Sequence, residues 1–157
     1  MEFGMFYAML GSAAAIFLGG YGSSIGIGLA GAAANGVLSE KPEKFGSMLL
    51  FVALPGTQGI YGFLVAFLII LKLQLLTGKP ISVSNLQGLE MLIAALPVGI
   101  TGISTGIYQG RICAAGIAIA AKKPEASMKG LVYAAMVETY AVLGLVISYF
   151  LLNGIVI

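Results

Sequence analysis

The chain has 157 residues, of which only 9% are charged, and eight Lys and Arg against six Asp and Glu leave a formal net charge of +2. A mean hydropathy of +1.04, set against the roughly 25% charge of an ordinary soluble domain, excludes a water-soluble globule and marks an integral membrane protein. The single Cys and the absence of His exclude an internal disulfide, a zinc site and Ser–His or Cys–His catalysis, and no basic stripe suggests nucleic acid.

Charges and turn residues divide the chain into four apolar segments, at about 4–37, 46–74, 87–120 and 127–156. Each exceeds the roughly 20 residues that a membrane helix needs. The opening stretch, MEFGMFYAMLGSAAA, lacks the positive charges of a secretory signal. Its apolar run outlasts a signal's length, so it reads as the start of the first span. That span carries Gly20, Ser24, Gly28, Ala32 and Gly36 at intervals of four. Such a stripe lets a neighbouring backbone approach closely. The break SEKPEK (39–44) ends the span with Pro and Lys, as a helix-ending turn does.

The second span holds LPGTQGIYG, in which Leu54, Thr57, Gln58 and Tyr61 fall at helical intervals of three and four. Pro55 cannot donate to the carbonyl one turn back. The expected break frees backbone carbonyls at membrane depth, which is tolerable only where they face protein, water or an ion. After the middle break, KLQLLTGKPISVSN (72–85), the third span repeats the small stripe at Gly102, Gly106, Gly110, Ala114 and Ala118. Gln109 lies beside this stripe. Cys113, among small residues, reads as a small buried apolar side chain. Arg111 is expected to snorkel or pair locally, and Glu90 to be solvated near the outer interface. The third break, AKKPEAS (121–127), leads into the fourth span, whose one acid is Glu138 in MVETYAVLG. The bulk sits on the second and fourth spans, in FLVAFLIILKLQLL and LGLVISYFLL. Narrow helices inside and bulky ones outside suit a closed ring.

Lys41-Pro42-Glu43 and Lys123-Pro124-Glu125 match, and the same offset aligns Gly28 with Gly110, Thr57 with Thr139 and Gly62 with Gly144. The chain is therefore read as a duplicated helical hairpin, residues 1–78 without an ion-binding acid and 79–157 with Glu138. Gly56 falls opposite Glu138. The hairpins run parallel, which disfavours the inverted-repeat logic of many transporters. Lys41, Lys44, Lys122, Lys123 and Lys129 gather around the first and third breaks. The positive-inside rule puts loops 39–44 and 121–127 in the cytoplasm and both termini outside.

Counted from the KPE turns at about 1.5 Å per residue, Thr57, Gln58, Tyr61, Gln109 and Glu138 share one depth. An acid at mid-membrane costs several kcal/mol and points to function. A carboxylate, two amide oxygens, a hydroxyl and a freed carbonyl form a hard-oxygen set suited to alkali or alkaline-earth cations. One carboxylate balances one monovalent ion.

LPGTQGIYG, YQGR and MVETYAVLG, together with the duplicated KPE hairpin and the single acid on the fourth span, resemble the proteolipid subunit of V-type ATPases. This is the c-ring or K subunit of the bacterial sodium-translocating kind, and the resemblance covers essentially the whole chain. It implies an all-α membrane protein with four transmembrane helices, assembling into a homo-oligomeric rotor ring. It also implies that Na+ is held by the Leu54 carbonyl, the Thr57 hydroxyl, the Gln58 and Gln109 amide oxygens and the Glu138 carboxylate, with Tyr61 latching Glu138. The implied partners are a stator subunit supplying an arginine, central-stalk subunits at the cytoplasmic loops, and membrane lipid. Neither an organic cofactor nor catalytic residues are expected, since the chain has no nucleotide site. Tyr108 stands where the sodium-binding relatives are expected to carry a small residue. The alternatives are the same rotor carrying H+, which needs only Glu138, a small channel or secondary transporter, and a purely structural bundle.

Overall fold

The computed structural model describes residues 3–157. Residues 1 and 2, the start of the expected first hairpin, lie outside the described part. Among the described residues five α-helices make four spans: α1 (Gly4–Leu38), α2 (Phe45–Ala53), α3 (Thr57–Lys72), α4 (Asn85–Lys122) and α5 (Ser127–Gly154). α2 and α3 form one span, interrupted by a 3-10 turn at Leu54–Gly56. The cause is Pro55, which lacks the N–H that would continue the α-helical ladder. At about 1.5 Å per residue, the 38 residues of α4 extend well beyond the roughly 30 Å of hydrocarbon in a bilayer.

Each KPE turn becomes a 3-10 turn with Pro at its start, Pro42–Lys44 and Pro124–Ala126, where the fixed φ of proline is pre-organised. Lys44 Nζ crosses to the other hairpin and donates to the Ala120 and Ala121 carbonyls at 3.2 and 2.8 Å. It caps the C-terminus of α4 with charge of the favourable sign. At the opposite end Lys72 Nζ donates to the Leu152 carbonyl at 2.9 Å. The middle loop turns through Gln74 and Gly78, both left-handed. α4 then starts on a capping box of Ser84 and Gln87.

α1 and α4 form the tight centre, with α3 and α5 against their flanks. Gly102, Gly106 and Gly110 of α4 meet Gly19, Gly22 and Gly26 of α1 backbone to backbone. A Cβ at Gly106 would stand 2.7 Å from the Gly22 carbonyl oxygen and 2.9 Å from the Ser23 nitrogen, closer than side-chain carbons tolerate. The expectation for α4 therefore holds at Gly102, Gly106 and Gly110, while Ala118 is exposed, and that for α1 is corrected for contacts within the chain. A Cβ added at Gly20 or Gly28 would meet nothing within 4 Å, and Ser24 is exposed. The face of α1 that packs within the chain lies one to two residues earlier, at Gly19, Gly22 and Gly26, with intervals of three and four.

Two apolar clusters fill the chain. One holds Ala15, Val65, Ile69, Met91 and Val98. The other, toward the KPE turns, holds Met48, Phe51, Cys113, Ile117 and Ala134. Between them lies a polar layer.

Candidate functional site

The polar layer is assembled by the break in the second span. α3 restarts at Thr57, and Ser23 of α1 accepts the Gly59 N–H at 2.8 Å, one of the donors that a helix start leaves unpaired. Pro55 can lie against α1 because Gly26 has no side chain there; a Cβ at Gly26 would come within 2.7 Å of Pro55 Cβ. This close seat turns Gln58 into the interior and Tyr61 toward α5.

Glu138 is half-buried and receives two hydrogen bonds. Tyr61 donates its hydroxyl to Oε1 at 2.6 Å, and Gln109 donates Nε2 to Oε2 at 2.7 Å. Gln109 Nε2 also reaches the Ala134 carbonyl, one helical turn before Glu138, at 3.0 Å. Gln58 Nε2 donates to Gln109 Oε1 at 2.7 Å. Three spans thus converge on one carboxyl group. Gln58 and Gln109 are fully buried, each 0% exposed.

Thr57 and Leu54 lie at the edge of this network. The Thr57 hydroxyl donates to the Leu54 carbonyl at 3.0 Å, and the Thr57 N–H donates to the same oxygen. The Leu54 carbonyl, a ligand that the family resemblance implies, accepts these two local hydrogen bonds. Four of the residues singled out from the sequence, Gln58, Tyr61, Gln109 and Glu138, join in one hydrogen-bond network, and Thr57 and Leu54 pair with each other beside it. The Ala134 carbonyl was missed, although its position four residues before Glu138 on the same helix face could have indicated it.

One polar atom stands apart. Gln58 Oε1 is the only buried side-chain acceptor without a hydrogen-bond partner among the described residues. An unmade hydrogen bond at a buried amide costs about 1–3 kcal/mol, so such atoms need a reason. The acceptors gathered here are carboxylate, amide, hydroxyl and carbonyl oxygens, ligands for a hard cation. Glu138 is the one acid in this layer, and among the described residues no group of three or more His, Cys, Asp or Glu gathers to hold a metal ion.

Outside this layer, Arg111 lies over the Tyr108 ring at 5.4 Å from its centroid, a local pairing of cation and aromatic face. Tyr108 itself is 58% exposed.

The sequence profile that describes the ATP synthase C-subunit matches residues 10–69 and again 92–151. These stretches are offset by 82 positions (92 minus 10), the offset of the two KPE turns (123 minus 41). The chain is 51% identical over 148 residues to V-type sodium ATPase subunit K of Enterococcus hirae, covering 94% of this chain and 91% of that protein. It is 39% identical over 146 residues to A-type ATP synthase subunit K of Methanocaldococcus jannaschii, covering 93% of this chain and 61% of that one. Identity to the 16 kDa proteolipid of the human V-type proton ATPase is 25% over 150 residues, covering 96% and 93%.

Proposed function

Since this chain belongs to the ATP synthase C-subunit family, as a non-catalytic proteolipid subunit of the V/A-type ATPases, we propose that it carries Na+ across the membrane on Glu138 as a ring of copies turns. The ligands are the Leu54 carbonyl, the Thr57 hydroxyl, the Gln58 and Gln109 amide oxygens and the Glu138 carboxylate. The observation that carries this reading is the buried, unpartnered Gln58 Oε1, lying in the network that ends on Glu138. A proton needs no such atom. A cation with an oxygen cage does, and Gln58 Oε1 then gains the partner that its burial demands. The sodium ATPase subunit of Enterococcus hirae, at 51% identity, supports the same ion.

In this mechanism Glu138 supplies the one negative charge and the amides supply neutral oxygens, so the loaded site is neutral and can pass lipid. Tyr61 steadies Glu138 in the loaded orientation. Release follows when a stator subunit's arginine competes for the carboxylate. ATP is hydrolysed on other subunits, which engage loops 39–44 and 121–127 on the cytoplasmic side, and both termini face outward. Residues 1–78 and 79–157 act as two hairpins, of which only the second carries the charge.

The test is labelling of Glu138 by a hydrophobic carbodiimide, which attacks the protonated carboxyl, at constant pH and ionic strength. Protection by Na+ but not by K+ is expected. Labelling that follows pH and ignores Na+ would instead identify a proton carrier.

A further inference from the structure

α3 begins without a cap of its own. Gly56 at its N-cap has no side chain, and the Thr57 hydroxyl turns back to the Leu54 carbonyl. The first N–H groups of a helix have no partner within it, and at membrane depth an unpaired N–H is costly. The Gly59 N–H is met from another helix: Ser23 of α1, only 5% exposed, accepts it at 2.8 Å. The other side of the same peptide unit, the Gln58 carbonyl, lies against Gly19 of α1, where a Cβ would stand 2.6 Å from its oxygen. α1 therefore grips the peptide that joins Gln58 to Gly59 at both its N–H and its oxygen.

The internal repeat supplies a control. The offset of 82 (123 minus 41) carries Ser23 to Thr105, Gly59 to Ala141 and Pro55 to Val137. α5 runs unbroken from Ser127 to Gly154, so its interior N–H groups are met by carbonyls four residues back. Thr105 makes no crossing bond there. Its hydroxyl donates to the Thr101 carbonyl of its own helix at 2.6 Å. The crossing bond is thus confined to the hairpin whose helix is broken by proline, and it falls on the residue next to Gln58.

We infer that Ser23 is a positioning residue of the ion site: it holds the Gln58 backbone, and through it the Gln58 amide oxygen, at the spacing that suits Na+ and disfavours a larger cation. This rests on the sodium reading proposed above and adds what fixes the oxygen cage. Gln58 is fully buried, and its Cβ lies beside Gly102 of α4. A side chain packed in this way cannot absorb a shift of its own backbone, so a displaced Cα displaces the amide oxygen too. Selection between cations rests on cavity size and rigidity, and a site works only while its groups stay within about 0.5 Å of their places. Ser23 touches no ion. It acts through the peptide that it holds, as the outer partners of metal ligands do.

The test uses the full chain in membranes, with carbodiimide labelling of Glu138 titrated against Na+ and against K+. Ser23→Ala deletes the acceptor. Gly59→Ala keeps it but sets a Cβ 3.3 Å from Ser23 Oγ, so the pair must part slightly. Each is expected to raise the Na+ concentration that half-protects Glu138 roughly 10-fold and to narrow the preference for Na+ over K+. Ser148→Ala is the control, because buried Ser148 of α5 accepts the Val98 N–H at 3.1 Å, beside the apolar cluster that holds Val98. It loses the same kind of bond, so it should lower the unfolding temperature while the Na+ midpoint and the Na+ over K+ preference stay as they were. A Ser23→Ala chain that likewise loses stability alone would overturn the inference and leave the sodium reading standing. An unchanged midpoint in Gly59→Ala would do the same, and it decides the matter if Ser23→Ala does not fold. Labelling of the unsubstituted chain that ignores Na+ would overturn the sodium reading and the role of Ser23 together.

Discussion

Tyr61 and Gln109 approach Glu138 from different helices and bind different oxygens of it, so each can be removed without the other. A hydrogen bond to a charged group contributes about 1.5–3 kcal/mol. Tyr61→Phe keeps the ring and deletes the donor, so the Na+ concentration that half-protects Glu138 should rise roughly 10- to 100-fold. Carbodiimide titration of the variant checks this, and an unchanged midpoint would remove Tyr61 from the latch role. Glu138 itself was plain from the sequence, because an acid within a long apolar run has no ordinary explanation. Its two side-chain partners, Tyr61 and Gln109, were both among the residues singled out; the hydrogen bonding of the outer pair was less plain. Thr57 and Leu54, proposed as ligands, also bind one another in the structure. Local geometry set by Pro55 decides this, and spacing alone does not display it.

At the scale of elements, the close approach of α1 and α4 depends on glycines that face backbone. Gly106→Ala would push a Cβ to 2.7 Å from the Gly22 oxygen, and neither backbone can step aside. A cost of order 1–3 kcal/mol follows, read as a lower unfolding temperature in mild detergent. Gly20→Ala, which meets nothing in its chain, should leave the unfolding of the monomer unchanged. The four spans and the break at Pro55 were legible because hydropathy, KPE turns and proline act locally. Which face of α1 packs inside the chain was not. Gly20, Ser24 and Gly28 form as regular a stripe as Gly19, Gly22 and Gly26, and only the three-dimensional path of α4 separates an internal contact from an external one.

Across the whole molecule, long lysine side chains tie the two hairpins together at both ends. Lys44 reaches the last carbonyls of α4, and Lys72 reaches Leu152. Lys44→Met keeps the length and removes the charge, so it should lower stability by about 1 kcal/mol. Thermal unfolding should show the loss while Na+ protection of Glu138 stays the same, since Lys44 belongs to the KPE end and not to the polar layer. This tie could not be read from the sequence, where Lys44 is one of several lysines flanking a turn and its target lies 76 residues away.

Gly56 in the place of Glu138 has a mechanical consequence. A rotor built from such chains spends four helices of circumference on each passenger, where an acid on both hairpins would spend two. A full turn then moves half as many ions for the same wheel. If the motor supplies the same work per turn, each passenger receives twice the share. In the rotor proposed here, a glycine opposite an acid would set the gearing, giving up flux for the ability to push against a steeper gradient.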